Sequence, residues 1–483
     1  MTRNSDDLGQ TIRLWAQRLG ASLEDGVRVL AERAMRRKLR IAVTGLAQAG
    51  KTVFLTSLLH NLRLAAKLGE GQSGHLPFFE PVAKERLDDV TLRPLADLPA
   101  FPFEENLGRL LADEPEFPPS TMGVSGFAAS LRYRPLGFWG RQFADTTEVA
   151  IEIVDYPGEW LLDLPMLNQS FAQWSAGMLR LAQSGSRAAI AGGWRELSPD
   201  AAASEATLEA ARISFTEFLR QCRADPRRLS FVQPGRFLRP GDGMFDVSAF
   251  RFCPLRPSDG VGPRSGTLAA AMAERFERYK SEIVQPFYRE VFGGFDRQLV
   301  LVDVIGALNA GPEAFGDMRL ALSQVLDSFR HGEDGLLARL FRPRTEKVLF
   351  AATKADHVTV NQFHNLRLLL RAMTCDEAGQ LPVRAVEAEF AALSAVKCTS
   401  NKRVFYQDQQ ITVLAGQIAG HEGVEELFPG EIPEHLPGDA DWAAERFRFY
   451  DFQPPSLGAD KRRGIPHIAM DKALQFLTGD LFW

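Results

Sequence analysis

A chain of 483 residues and 53.6 kDa is too long for one simple core, so a main domain with large insertions, or two to three domains, is expected. Its hydrophobic share of 45%, charged share of 24% and formal charge of -5 are those of an ordinary soluble globular protein, without the basic bias that a nucleic acid partner selects. Four scattered cysteines (Cys222, Cys253, Cys375, Cys398) argue against a disulfide or zinc framework and fit a reducing, cytoplasmic compartment.

In chain order, residues from about 10 to 38 read as an amphipathic helix. Trp15, Leu19, Leu23, Val27, Leu30 and Ala34 recur at three- and four-residue steps, and the basic cluster Arg36, Arg37, Lys38 and Arg40 closes it. Packing on the domain is the plain expectation for this segment (1–38). Peripheral contact with an anionic membrane, or with a membrane protein or other protein effector, is the sharper one. The N-terminus carries Arg3, Asp6, Asp7 and Arg13 where a signal peptide would need an apolar core, and no apolar run is long enough to span a bilayer.

Leu39 to Thr44 is an apolar run leading straight into a glycine-rich turn, and Val53 to Leu64 reads as a helix. This opens the first part of a nucleotide-binding domain (39–158), interrupted at 69–120 by a segment rich in Gly, Pro and acidic residues that reads as a loop-rich insertion. Residues 126–134 and 147–155 then form an expected antiparallel pair. From 159 to 297 the pattern is mostly helical, with candidates at 166–183, 200–223 and 267–292, and reads as an inserted helical subdomain. Strand patterns resume at 298–305, 347–352 and 390–394, with helices near 313–331 and 358–374, so that 298–400 forms the second part of the domain. The remainder (401–483) is a C-terminal extension with a strand at 410–414 and a terminal helix near 468–477. Apolar runs alternating with helices imply a parallel sheet covered on both faces.

The strongest chemical signal is Gly45-Leu46-Ala47-Gln48-Ala49-Gly50-Lys51-Thr52, a complete P-loop pattern. Its backbone N-H groups (Gly45, Ala47 to Val53) are expected to wrap phosphates, Lys51 to place a charge at the β- and γ-phosphates, and the Thr52 hydroxyl to ligate Mg2+. Thr353-Lys354-Ala355-Asp356 follows an apolar strand and matches the [NT]KxD pattern that reads guanine. The Asp356 carboxylate can accept from N1-H and the exocyclic amine, a donor pair adenine lacks. Ser394-Ala395-Val396 follows the next strand, where the Ala395 N-H is expected to reach the guanine O6.

Two Asp-x-x-Gly stretches compete as the γ-phosphate sensor, Asp155 to Gly158 and Asp303 to Gly306. The first is preferred, because strand 147–155 then pairs with 126–134 and leaves 298–305 as the next sheet strand. Asp155 would hold Mg2+ through a water, and Gly158 N-H would meet the γ-phosphate. The resemblance of these motifs to Ras-like GTPases implies a switch threonine just before the first hairpin strand, expected at Thr121 by its place before Gly126, with Ser120 competing. Glu159 departs from the water-orienting Gln that resemblance to Ras-like enzymes implies after Gly158, so slow unaided turnover is expected.

These motifs resemble the Ras-like GTPase class of P-loop proteins, and more closely the YcjX family of bacterial, stress-associated P-loop proteins. GLAQAGKT at 45–52, DYPGEWLLD at 155–163, TKAD at 353–356 and GIPHIAMDKALQFLTGD at 464–480 carry the resemblance. It implies a Ras-like core with a helical insertion, GDP/GTP binding and a cytoplasmic protein.

The fold expected is therefore α/β, a P-loop NTPase (Ras-like) three-layer domain with a mainly parallel sheet plus a large helical insertion. The function expected is a slow GTPase switch using GTP/GDP and Mg2+. Its catalytic set is Lys51, Thr52, Asp155, Gly158, Glu159 and Thr121, with Thr52, Asp155 and Thr121 at the metal. The rivals are a nucleotide-loaded interaction module with little turnover, and a P-loop ATPase, which TKAD disfavours.

Overall fold

The computed structural model describes residues 38–482 except 47, 68–75, 97, 121–122, 137–145, 226–228, 239–249, 259–262, 291–293, 331–344, 376–385 and 458–463. The N-terminal helix expected from the sequence, together with Ala47 and Thr121, thus lies outside the described residues.

Strand β1 (Lys38–Gly45) runs into the P-loop and helix α1 (Lys51–Ala65). Strands β2 (Leu87–Pro94), β3 (Ser125–Tyr133) and β4 (Thr147–Asp155) follow. Helices α2 (Phe171–Leu181), α3 (Glu205–Ala224) and α4 (Leu268–Tyr279) lie between β4 and β5 (Arg297–Val302). After β5 come α5 (Val304–Ala310), α6 (Pro312–Arg330), β6 (Lys347–Ala352), α7 (Phe363–Thr374) and β7 (Glu387–Ala392). A small antiparallel sheet of β8 (Thr399–Tyr406), β9 (Gln409–Gly416) and β10 (Glu425–Leu427) precedes the last helix, α8 (Met470–Thr478).

The main sheet has seven strands in the order β2-β3-β4-β1-β5-β6-β7. β4, β1, β5, β6 and β7 pair in parallel, while β2 and β3 join antiparallel at one edge. The α/β class and the mainly parallel sheet are those the sequence implies, and they fit the Ras-like P-loop fold expected. The antiparallel pair is in the expected register, from Ser125 opposite Asp155 to Tyr133 opposite Thr147.

The segment read as loop-rich differs from expectation, since it contributes β2 to the sheet edge. Only Leu87 and Val90 of that strand are buried, so its apolar signature is too thin to stand out among the surrounding prolines. β8 was likewise not expected: its burial pattern is almost wholly exposed, and a strand without a buried face leaves no alternation to read.

Period-two alternation assigns the sheet's two faces. Leu39, Ile41, Val43, Leu299, Leu301 and Leu349 face the core under α1 and α8, while Ala42, Val154, Val300, Val302, Val348 and Phe350 face the larger core shared with the helices after β4. That larger core is aromatic. Trp174 lies edge-on to Phe252 and Phe215, and Trp194 to Phe215. Burial of rings of this size, each about 150–250 Å², holds these segments together, and Tyr156, which directly follows Asp155, packs into the same core against Phe287 and Phe295.

Candidate functional site

The P-loop is a turn between a buried strand and a helix N-terminus. Gln48 (φ 62°) and Gly50 (φ 76°) adopt left-handed backbone, Ala49 N-H donates to Leu46 O at 3.1 Å, and Phe54 N-H to Gly50 O at 2.9 Å as α1 begins. Among the described residues nothing lies within 4 Å of where a Cβ on Gly50 would stand. Gly45 is the opposite case. A Cβ there would meet Leu301 O of β5 at 2.8 Å, so the turn is pressed against the neighbouring strand.

Two loops face this turn. After β6, Thr353 N-H donates to Val302 O at 2.9 Å and Ala355 N-H to Leu393 O at 3.1 Å, with Lys354 held at φ 58° between them. Non-glycine residues hold this conformation at a cost of order 1 kcal/mol, and such residues cluster at functional sites. Asp356 is buried, and its Oδ2 accepts from Cys398 N-H at 2.8 Å. After β7, the loop at 394–396 is tied to α1 by Ser57 Oγ, which donates to Ala395 O at 2.7 Å. The C-terminal stretch backs the same loop: Ser394 and Ile468 exchange N-H to O bonds at 3.0 and 2.9 Å, and Lys397 N-H donates to Pro466 O at 2.7 Å. Asn61 of α1 clamps Ile465 through both its amide N-H and its carbonyl. The GIPHI run at 464–468 thus braces the base-side loop.

These pieces meet in one cleft of about 340 Å³. Gln48 to Val53, Thr353, Lys354, Asp356, Ser394, Ala395 and Val396 line it, as does Ser120, the competing switch residue. Phe117, Cys398, Asp451 and Phe452 line it too and were not expected. Phe452 is buried and meets the His357 ring edge-on at 5.2 Å, and burial lowers the His357 pKa. Asp451 and Phe452 lie almost a hundred residues beyond TKAD and belong to no pattern, so nothing in the sequence signals their approach.

Asp155 ends β4 beside β1, opposite Val43, and is 1% exposed. Gly158 abuts the P-loop so closely that a Cβ would stand 2.3 Å from Gly45 O. Asp155, Gly158 and Glu159 are not part of the cleft lining. The Glu159 side chain turns into the helices after β4 and pairs with Arg223 of α3, while its backbone leaves no room for a Cβ on Gly235. Its neighbours are equally anchored. Tyr156 stacks on Phe295, Arg236 lies 3.7 Å over the Trp160 ring, and Gln233 donates to Leu162 O. Asp163 accepts from Gly235 N-H at 2.8 Å and from Tyr279 O-H at 2.7 Å. Burial raises its pKa to about 6 against the opposing pull of Tyr279, Gly235 and Arg236.

Asp303, the alternative sensor, sits at the end of β5 on the other side of β1. Its Oδ1 accepts from Gly306 N-H at 2.8 Å, capping α5, and its Oδ2 accepts from Lys354 Nζ at 2.7 Å.

No helix among the described residues is long and apolar enough to cross a membrane. Compared with known proteins, the chain matches the model of the YcjX-like family, DUF463, over residues 39–482. It is 39% identical over 470 residues to the Ras-like GTPase YcjX of Escherichia coli (strain K12), covering 95% of this chain and 99% of that protein. It is 33% identical over 472 residues to the Ras-like GTPase YcjX of Shewanella oneidensis, covering 93% and 96%.

Proposed function

Since the chain belongs to the YcjX-like family, we propose that it binds GTP and GDP with Mg2+ in the cleft of the P-loop and hydrolyses GTP slowly, as a molecular switch. One observation carries this reading: the phosphate-binding turn and the guanine-type Asp356 loop, some 300 residues apart in sequence, line a single cleft.

The residues suit the group. The open space at Gly50 leaves the N-terminus of α1 accessible to an anion, and the first-turn N-H groups and helix dipole favour phosphate. Lys51 and Thr52 open that helix. Thr52 and Asp155 would hold Mg2+, Asp155 through a water, with Thr121 or Ser120 completing the set. The ion would supply charge neutralisation for the β- and γ-phosphates. Lys51 holds the terminal phosphates, the backbone at 45 and 47–53 wraps them, and Gly158 N-H faces the γ-phosphate. At the other end Asp356 accepts from guanine N1-H and its amine, flanked by Thr353, Lys354, Ser394, Ala395 and Val396. Rate comes from charge stabilisation and positioning of water rather than from a covalent intermediate. The family resemblance and the names of the two relatives support the guanine preference.

Asp155 is favoured as sensor over Asp303 because the Gly306 N-H is already given to the Asp303 carboxylate, whereas Gly158 stands against the P-loop backbone. Glu159, paired with Arg223, leaves the water-orienting position without a free polar group, which agrees with slow turnover. The same pairing favours a second reading, a nucleotide-loaded interaction module in which the helices after β4 hold a protein effector or a membrane-associated partner and little GTP turns over. Single-turnover phosphate release separates the two. Release above the buffer background supports the enzyme, and release at background leaves the module.

A further inference from the structure

Lys354 is a long, flexible cation at the edge of the base pocket, yet its side chain is not left to wander. Its left-handed backbone sends the ammonium across the end of β5, where Nζ donates to Asp303 Oδ2 at 2.7 Å and lies 3.7 Å from Asp451 Oδ1. Asp303 is 3% exposed and is fixed in turn by the Gly306 N-H on its other oxygen. One buried carboxylate therefore caps α5 and tethers Lys354, a residue that lines the nucleotide cleft.

Holding a lysine in one rotamer costs side-chain entropy. Where the tether is built in, that cost is met before the ligand arrives. With Asp303 and Asp451 both in contact with the ammonium, the lysine's charge is shared between two carboxylates and competes less for the acceptor oxygens of Asp356.

We propose that Asp303 is a positioning residue for the purine: it pins the Lys354 ammonium so that the lysine stem forms a preset wall of the base pocket and Asp356 stays available to the guanine edge. This rests on the guanine-nucleotide reading above and deepens it.

The test is a double-mutant cycle read by calorimetric GDP binding with Mg2+, using Asp303→Asn, Lys354→Ala and the pair. Asn caps helices as well as Asp does, so apo melting of Asp303→Asn stays close to wild type; if it does not, Asp303→Ser, also a capping residue, takes its place. Expected is a loss of GDP affinity of about tenfold in the wild-type background, less than about twofold in the Lys354→Ala background, and no change for inorganic tripolyphosphate, which has no base. Unchanged GDP affinity, an equal loss in both backgrounds, or an equal loss for tripolyphosphate would overturn the proposal. A wild-type chain that binds no GDP would overturn the nucleotide reading itself, and this inference with it.

Discussion

Gly158→Ala tests the contact on which the sensing role depends. The added Cβ would stand 2.3 Å from Gly45 O and 2.6 Å from Gly45 C, both backbone atoms that no rotamer change can move aside. To reach ordinary van der Waals distance the two segments must part by roughly 1 Å, an overpacking cost of about 1–3 kcal/mol. In a chain of this size that lowers Tm by only a few degrees. The effect on chemistry is larger, because a displacement of about 1 Å at a reacting centre can cost around 100-fold in rate. Single-turnover GTP hydrolysis is therefore expected to fall about 100-fold with GDP affinity little changed. Gly177→Ala, in α2 with open space around its Cβ, is the control and is expected to be neutral or stabilising by about 0.5–1 kcal/mol. Turnover in Gly158→Ala equal to wild type would refute the argument that this close approach sets the sensor against the P-loop.

Asp356→Asn replaces an acceptor oxygen with a donor, so guanine nucleotides should bind at least about tenfold more weakly while xanthine nucleotides gain; unaltered preference in competition binding would remove Asp356 from the base site. Arg223→Ala removes an ion-pair partner of a Glu159 side chain only 5% exposed and is expected to destabilise by about 1–3 kcal/mol. Adding Glu159→Gln should recover part of this in denaturant melts, and strictly additive losses would count against the pair. Asp163 gives a pH signature. Its carboxyl holds a proton up to about pH 6 in the folded chain but only to about pH 3.9 when unfolded. The folded form therefore binds more protons between those values, and stability falls as pH rises through them. Relative to Asp163→Asn, the wild type should lose on the order of 2–3 kcal/mol between about pH 4 and pH 6.5. A pH-independent difference between the two would contradict the burial argument.

What the sequence made legible was local. The P-loop and the TKAD turn each need particular residue types at fixed spacing, and both sit after apolar strands buried on both faces, so pattern and structure coincide. The parallel sheet was readable for the same reason, as runs such as Leu299 to Val302 announce burial without reference to anything distant. Brackets made from afar were not readable. The paired hydrogen bonds of Asn61 with Ile465 and the bond from Ser57 to Ala395 join residues hundreds of positions apart, and no periodicity encodes them. The GIPHI run was conspicuous as a string, but only the structure gives it a task.

The two Asp-x-x-Gly stretches show why spacing alone left an ambiguity that geometry can weigh. Both follow strands that flank β1, both place a carboxylate at a strand end, and both have a glycine three residues on. They differ in what the chain does next. After Asp303 the backbone turns at once into α5, and the Gly306 N-H is consumed by the Asp303 carboxylate as a cap, so that glycine has no amide to offer a ligand. After Asp155 the chain stays extended through Pro157 and delivers Gly158 against the P-loop backbone, where a donor would face the phosphates. A capped helix and a γ-phosphate sensor make incompatible demands on the same N-H group, and that argument favours Asp155, beside the P-loop strand, as the sensor while leaving Asp303 to hold Lys354.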